Sequence, residues 1–302
     1  MLRSYDEVLK RVLEGSPVTL AVAAAEDREV LECVAMAKGM GLCDALLVGD
    51  PERIAPLAEE VGLKDFQVIP DPDPVSAALT ASEAVRNRRA QVLMKGLVNT
   101  SDFMRGVLNP DKGLRTGNLI SHLSVFQIPG EERLVFHSDG GINIAPDLDA
   151  KRGILANALV ALRALGYECP NVAILSANEQ VNPKMQSTVD AAALVEEWKS
   201  GAFGDCVVEG PIALDVAVSP EAAKHKGIDS KISGEVDLFL MPNIEAGNVA
   251  GKSLIYYAKA QMAGLVLGAA APIVLTSRSE TAKGKLYSIA MACLVSQGSA
   301  NL

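Results

Sequence analysis

The stretch PVTLAVA at residues 17–23 is an uninterrupted apolar run of strand length, and it decides the class of fold. A helical period follows over residues 29–40, and a second apolar run lies at residues 45–48. Strands that are apolar on both faces belong to parallel sheets covered by helices on both sides. The sequence therefore predicts an α/β fold.

The same alternation continues along the chain. Further strands are predicted at residues 91–94, 133–136, 172–176, 206–208, 238–241 and 273–275, and helices at residues 74–88 and 147–165, from Asn182, and after Gly247 and Thr281. Asp73 and Pro74 suit the N-cap and first position of their helix. The 302 residues suffice for roughly two domains. Since no Gly/Ser linker interrupts them, we expect two closely joined α/β domains.

Composition excludes several classes of protein. The chain has 28 Lys+Arg against 37 Asp+Glu, a net charge of −9, so we expect no nucleic-acid partner. The longest apolar stretch, residues 263–275, is too short to span a bilayer, and residues 1–15 lack the apolar core of a signal peptide. We therefore expect no membrane partner. The scattered cysteines predict reduced thiols in the cytoplasm, and the histidines, which lack metal-ligand spacing, predict no metal site.

Polar side chains collect where predicted strands end, which is where ligands bind in open α/β sheets. These residues are Lys95, Asn99 and Thr100; Asp139 and Asn143; Asn243, Glu245 and Asn248; and Ser277, Arg278 and Glu280. Four strands thus deliver small polar groups and charges to one edge. This recurrence predicts an active site there.

Two of these groups suit anions. Ser277 and Arg278 precede a predicted helix start, whose free N–H groups attract anions; equally, the serine could cap the helix and the arginine form a surface ion pair. Arg105 and Arg115 bracket a turn that contains Thr116. Each charge alone is typical of a solvated surface, but together with Lys95 they would suit phosphates.

Most of the remaining candidates have both a structural and a functional interpretation. Asp139 and Asn143 would orient a substrate or hold a tight Gly-Gly turn, and the turn is favoured for Asn143. Asp215, after a predicted buried strand, is harder to explain by structure alone. Lys252, placed early in its predicted helix, would oppose the helix dipole unless an anion or an ion pair compensates it. The sequence contains no P-loop, dinucleotide fingerprint or nucleophile elbow.

Long motif blocks in fixed order resemble the phosphate acetyltransferase/butyryltransferase family along nearly the whole chain. They are MKGLVNT at 94–100, GLRTGNLISH at 113–122, NPKMQSTVDAA at 182–192, VEGPIALDVAVSPEAAKHKG at 208–227, LFLMPNIEAGNVAGK at 238–252 and PIVLTSRSE at 272–280. The first two blocks and LTSR are closer to the butyryl branch. The resemblance implies two α/β domains flanking a cleft, as in isocitrate and isopropylmalate dehydrogenases, with residues 1–133 and 266–302 in one and 134–265 in the other.

The resemblance also implies the reaction acyl-CoA + phosphate ⇌ acyl phosphate + CoA, by direct transfer in a ternary complex. Coenzyme A, acyl phosphate and inorganic phosphate would be the partners, with no further cofactor. By the family's pattern, Ser277 hydrogen-bonds the reacting centre, Arg278 clamps the anion and Arg105 contacts CoA or phosphate. A cytoplasmic homo-oligomer, a dimer or a multiple of dimers, is implied as well.

One position departs from that pattern. The acetyl branch carries an aspartate, proposed as general base, where this chain has Gly284 between Lys283 and Lys285. Either Glu280 is the base, which we favour, or the lysines stabilise the thiolate without one. Three other functions stay open: an enzyme acting mainly on acetyl-CoA, a decarboxylating dehydrogenase, and a sensor that has lost catalysis.

Overall fold

The computed structural model describes residues 1–275 and 281–299. The helices in these ranges are α1 (Tyr5–Glu14), α2 (Arg28–Gly39), α3 (Pro51–Glu60), α4 (Pro74–Arg86), α5 (Thr100–Val107), α6 (Leu148–Ala164), α7 (Gln186–Lys199), α8 (Leu214–Val218), α9 (Pro220–His225), α10 (Ile244–Tyr256) and α11 (Ala282–Ser299). The strands are β1 (Thr19–Ala23), β2 (Asp44–Gly49), β3 (Gln67–Pro70), β4 (Val92–Lys95), β5 (Ser121–Gln127), β6 (Leu134–Ser138), β7 (Asn171–Leu175), β8 (Val207–Ile212), β9 (Leu238–Leu240), β10 (Gln261–Leu267) and β11 (Ile273–Val274). The predicted α/β class is confirmed.

Side-chain caps explain where the predicted helices begin. Asp73 accepts a hydrogen bond from the backbone N–H of Ser76 at 2.7 Å, and Pro74 opens α4 as expected. Asp147 caps α6 in the same way, through the N–H of Ala150 at 2.8 Å. Such caps satisfy amide groups that a helix start leaves without partners.

The first compact unit comprises Ser4–Asn118 and the described residues from Ala263 onward. Its strand order is β3-β2-β1-β4-β11-β10. The run that decides the fold forms β1, which is parallel to both β2 and β4, and its residues from Leu20 to Ala23 are fully buried. An apolar strand between two parallel neighbours and beneath helices is what the sequence predicted.

The second unit comprises Met1–Arg3 and Leu119–Met262, with strand order β5-β6-β9-β7-β8. The strands β6, β9, β7 and β8 are parallel, so their carboxyl ends share one edge. The predicted domain boundaries at residues 134 and 266 stay a prediction; in this division residues 119–133 belong with the second unit. No helix within the described ranges is long and apolar enough to cross a membrane.

Several local expectations were wrong. The sheet is mixed, because β5 runs antiparallel to β6 and β10 antiparallel to β11. Helix α10 begins at Ile244, where Asn243 caps it, and not after Gly247. Lys252 therefore lies in its third turn and does not oppose the dipole at its start. Helix α7 begins at Gln186, because Asn182 bonds Thr188 across the preceding turn and caps no helix.

Candidate functional site

In the first unit, Lys95 ends β4 and a glycine brings the following loop over the neighbouring strand. The Lys95 Nζ donates to the carbonyl oxygens of Gly96 and Val98, at 3.2 and 3.0 Å. A Cβ on Gly96 would lie 2.2 Å from the carbonyl oxygen of Ala24 and 2.7 Å from that of Ala23. Only glycine fits so close to a backbone, so the motif's glycine positions the lysine and its loop.

Helix α5 begins in this loop with Asn99 as its cap. The Asn99 Oδ1 accepts from the N–H of Asp102 at 2.8 Å, and its amide group also donates to the Asp102 carboxylate. Thr100 is exposed at the first helical position. Arg105, one turn later, pairs with Asp102 at 2.6 Å and has 70% of its side chain exposed. Exposed ion pairs are weak, so the guanidinium is free to exchange its partner for an anion.

Arg115 and Thr116 lie on the predicted turn. The Thr116 hydroxyl donates to the carbonyl oxygen of Gly268 at 2.6 Å and accepts from the N–H of Asn118 at 3.1 Å. The backbone of Arg115 bridges to Ala269, and its side chain is exposed. Thr116 thus holds the turn, whereas Arg115 offers a charge to the solvent.

Strand β11 runs beside β4 in parallel, with Val274 opposite Met94. The next residue of β4 is Lys95, so Leu275 is reached at the same strand end. Ser277, Arg278 and Glu280 lie outside the described residues. The first two form the serine–arginine pair that is predicted to bind an anion.

The description resumes at Thr281, whose hydroxyl oxygen accepts from the N–H of Gly284 in the first turn of α11. Lys285 is buried and its Nζ lies 2.7 Å from Oε2 of Glu29. That contact lowers the pKa of the Glu29 carboxyl, chiefly through the hydrogen bond from Lys285. The ammonium of Lys285 is therefore already paired, while Lys283 is exposed.

In the second unit, the carboxylate of Asp139 follows β6 and is buried. It accepts from the backbone N–H groups of His122, Gly141 and Ile142 at 3.0, 2.7 and 2.9 Å. The side-chain amide of Asn143 donates to it at 2.6 Å and also reaches the carbonyl oxygen of Ile120. These contacts are those of the turn interpretation, for Asp139 as well as for Asn143.

Two glycines let the loop after β6 touch helix α10. A Cβ on Gly247 would lie 2.7 Å from the Cα of Gly140, and one on Gly140 would lie 2.9 Å from the carbonyl carbon of Gly247. Asn243 caps α10 by accepting from the N–H of Ala246 at 2.9 Å, and Asn248 donates to the carbonyl oxygen of Gly140 at 3.4 Å. The two motifs therefore meet through their backbones.

Asp215, in the first turn of α8, pairs with Lys226 at 3.0 Å, and Lys226 also pairs with Glu179 at 3.1 Å. The hydrogen bond from Lys226 is the main cause that lowers the pKa of Asp215. Glu245 and Lys252 are exposed on α10. This arrangement gives Asp215 an ion-pair role that the sequence did not predict.

The structure thus brings the candidates together in two groups, one in each unit. Lys95, Asn99, Thr100 and Arg105 share one loop and helix, and Asp139, Asn143, Asn243 and Asn248 share one strand edge. Asp215 lies on a different strand end of that edge, and Lys252 lies two turns along α10. Sequence reasoning missed His122, which ends the block GLRTGNLISH and lies beside Asp139; its place inside a motif block was the available signal.

Similarity to known proteins decides the family. The model of the phosphate acetyl/butaryl transferase family matches residues 73–293. The chain belongs to this family. A phosphate butyryltransferase of Clostridium acetobutylicum is 44% identical over 98% of this chain and 99% of its own. A phosphate acetyltransferase of Thermotoga maritima is 40% identical over 95% of this chain and 98% of its own.

Among solved structures, a branched-chain phosphotransacylase from Enterococcus faecalis V583 superposes with a TM-score of 0.82 and 28% identity, covering 92% of this chain and 99% of that one. The predicted membership in the phosphate acetyl/butyryl transferase family is confirmed by these matches. The predicted enzyme class, a phosphate acyltransferase, is confirmed with it.

Proposed function

We propose that this chain transfers a short acyl group, butyryl in preference to acetyl, between coenzyme A and inorganic phosphate. The observation that carries the proposal is the 44% identity, over 98% of this chain, to a phosphate butyryltransferase. A phosphate oxygen attacks the thioester carbonyl carbon, the C–S bond breaks, and CoA leaves as a thiolate that takes up a proton. No nucleophilic side chain is needed, because the chain positions both reactants and stabilises the oxyanion.

Ser277 and Arg278 are the catalytic residues of this proposal, the serine as hydrogen-bond donor to the reacting centre and the arginine as anion clamp. The register of β11 on β4 supports it, because Leu275 and Lys95 reach the same strand end. The weakly paired, exposed guanidinium of Arg105 supports a contact with CoA or phosphate. Arg115 and Lys95 add positive charge for the same anions.

Glu280 is the proposed general base. The alternative, thiolate stabilisation by the flanking lysines, is disfavoured for Lys285 because Glu29 already pairs with its ammonium. Lys283 keeps an exposed charge but has no described contact that would fix it. A carboxylate base also explains how the thiol of CoA loses its proton at neutral pH, where the thiol form dominates.

The other substrate-binding residues of the proposal share a position at or near the strand ends. They are Asn99, Thr100, Thr116, Asp139, Asn143, Asp215, Asn243, Glu245, Asn248 and Lys252. An isocitrate/isopropylmalate dehydrogenase-like arrangement with a cleft between two domains belongs to the proposal, as do CoA as a substrate without further cofactor, a cytoplasmic location and a homo-oligomer.

A thiol-release assay tests the proposal. Purified protein is given acyl-CoA of increasing chain length, with phosphate, and free CoA is measured together with acyl phosphate formed. We expect stoichiometric products and a higher kcat/KM for butyryl-CoA than for acetyl-CoA. An extra pair of methylenes in an apolar pocket gives a graded preference. A higher kcat/KM for acetyl-CoA would show that acetyl is the preferred acyl group. Reduction of a nicotinamide cofactor, or no turnover of any acyl-CoA, would contradict the proposed function.

A further inference from the structure

His122 is held at three points beside the strand edge of the second unit. Its backbone N–H donates to Asp139, and its carbonyl oxygen accepts from the Ser138 hydroxyl at 2.9 Å. Its ring Nδ1 lies 3.3 Å from the Ser124 hydroxyl. A Cβ on Gly141 would lie 3.0 Å from the ring's Cγ, so the loop after β6 packs directly on the imidazole. The ring is therefore fixed before any ligand arrives.

The contact between Nδ1 and Ser124 is compatible with either tautomer, and the surroundings of the serine favour one of them. Ser124 is buried, and the acceptor that the described residues offer to its hydroxyl is the Nδ1 of His122. A buried hydroxyl donates to the acceptor within its reach. The favoured tautomer therefore has Nδ1 as the acceptor and the proton of the neutral ring on Nε2. Among the described residues no hydrogen bond reaches Nε2, and His122 as a whole residue is partly exposed.

The surroundings of the His122 ring favour its neutral form. Burial lowers the pKa of His122, and the Asp139 charge only partly opposes this. The Asp139 carboxylate is itself engaged by surrounding amides, and the contacts that the described residues make to these two side chains include no lysine or arginine. A neutral donor next to a carboxylate suits an uncharged oxygen better than a phosphate dianion.

We infer that the Nε2–H of His122 donates a hydrogen bond to a carbonyl oxygen of the substrate, a role that rests on the proposed function. Two carbonyl sources exist in that reaction: the acyl group, present in acyl-CoA and acyl phosphate, and the amides of the pantetheine arm of CoA. Both present the same acceptor to the same donor. His122 is thus a substrate-binding residue next to the motif glycines of the second unit.

Kinetics of matched variants test the donor. His122→Leu removes it and should lower kcat/KM for butyryl-CoA by about 3- to 10-fold, the size of one neutral hydrogen bond. His122→Gln places an amide donor near the position of Nε2 and should stay within about twofold of wild type. His225→Leu, at an exposed histidine of α9, is the control and should change nothing. If Leu and Gln at position 122 lower kcat/KM equally, with equal thermal midpoints, the inference is wrong.

Nitrogen NMR of the three histidines tests the tautomer and the ligand without turnover. His122→Gln and His225→Gln assign the imidazole signals. Wild type should show the Nε2–H form at position 122, and Ser124→Ala should mix the two tautomers. The wild-type signal is then followed during separate additions of butyryl phosphate, CoA and inorganic phosphate.

Each addition has a distinct consequence. A shift with butyryl phosphate but not with phosphate supports the acyl carbonyl, and a shift with CoA alone supports the pantetheine amide. A shift with inorganic phosphate, or with none of the three at saturation, overturns the inference. Loss of the proposed function would show separately, as a wild-type protein that binds these compounds but releases no CoA from butyryl-CoA.

Discussion

Lys285 on α11 places its ammonium 2.7 Å from the Glu29 carboxylate on α2, with the lysine buried and 67% of the glutamate side chain exposed. The pair engages the charge of one of the two lysines that flank Gly284. Lys285 therefore links α11 to α2, which agrees with the proposal that a carboxylate and not this lysine serves the proton transfer.

The first prediction separates these roles. Lys285→Met should keep kcat within about threefold, because Glu29 already pairs with the ammonium. Glu280→Gln should lower kcat by ~10²–10⁴-fold in the direction that starts from the CoA thiol, since it removes the proposed general base. Steady-state rates against pH measure both, and the Glu280→Gln loss should shrink at high pH, where the thiol ionises unaided. If kcat falls strongly in Lys285→Met but stays near wild type in Glu280→Gln, then the lysine and not the glutamate serves the reaction.

The second prediction concerns the glycine that carries the Lys95 loop. Gly96→Ala should destabilise the protein by about 1–3 kcal/mol, because its Cβ would meet backbone oxygens that have no freedom to move aside. The control is Gly39→Ala at the end of α2, where a Cβ meets nothing within 4 Å. That change should be neutral or stabilising by up to ~1 kcal/mol. Urea unfolding of both variants decides, and equal stability of the two would contradict the described loop.

The third prediction is the acid sensitivity caused by His137. Burial between Phe126 and Phe239 lowers the pKa of this histidine to about 3, and its Nδ1 has no partner among the described residues. Because the folded pKa lies below the unfolded value of 6.5, the unfolded chain binds the extra proton between these limits. Stability is therefore lost as the pH falls below about 6.5, by ~1.4 kcal/mol per pH unit from this group.

His137→Phe should remove that contribution. The difference in unfolding free energy between pH 7 and pH 5 should shrink by ~2 kcal/mol relative to wild type. Replacement of the exposed His225 by Phe should leave the difference unchanged. An identical pH dependence in wild type and His137→Phe would show that the imidazole is not buried in the neutral form.

The fourth prediction concerns the serine–arginine pair of the last motif block. Ser277→Ala should lower kcat by ~10²–10³-fold with little change in the KM for CoA, as expected for a donor that acts on the transition state. Arg278→Ala should damage both constants, and Arg278→Lys should recover only part, because a point charge lacks bidentate geometry. Full activity in both alanine variants would show that Ser277 and Arg278 are not catalytic, although the chain would still belong to the family.

The fold was predictable where local signals and burial agree. PVTLAVA is apolar on both faces and forms β1 between two parallel neighbours, and Asp73 with Pro74 marks the start of α4. The antiparallel pairing of β5 with β6 was not predictable, because it depends on contacts between separate segments and both orientations bury the same side chains. Lys252 was misplaced because Asn243, and not Gly247, starts its helix.

The sequence predicted which strand ends carry the candidate residues, but it predicted less well what each residue contacts. Asp139 was recognised as a polar residue after a strand, but its partner His122 lies 17 residues earlier on another strand. Spacing along the chain carries no information on such a contact. The ion pair between Lys226 and Asp215 was likewise not predictable from spacing.

The contacts of Asp139 have a consequence for the motion of the strand edge. Loops beside ligand sites usually open locally, and their amide hydrogens then exchange quickly with solvent. Here the amides of Gly141 and Ile142 are tied to a buried carboxylate that also holds the amide of His122 on β5. The loop is therefore expected to exchange its amide hydrogens at the slow rate of the strands, as part of the same cooperative unit, and to keep one conformation.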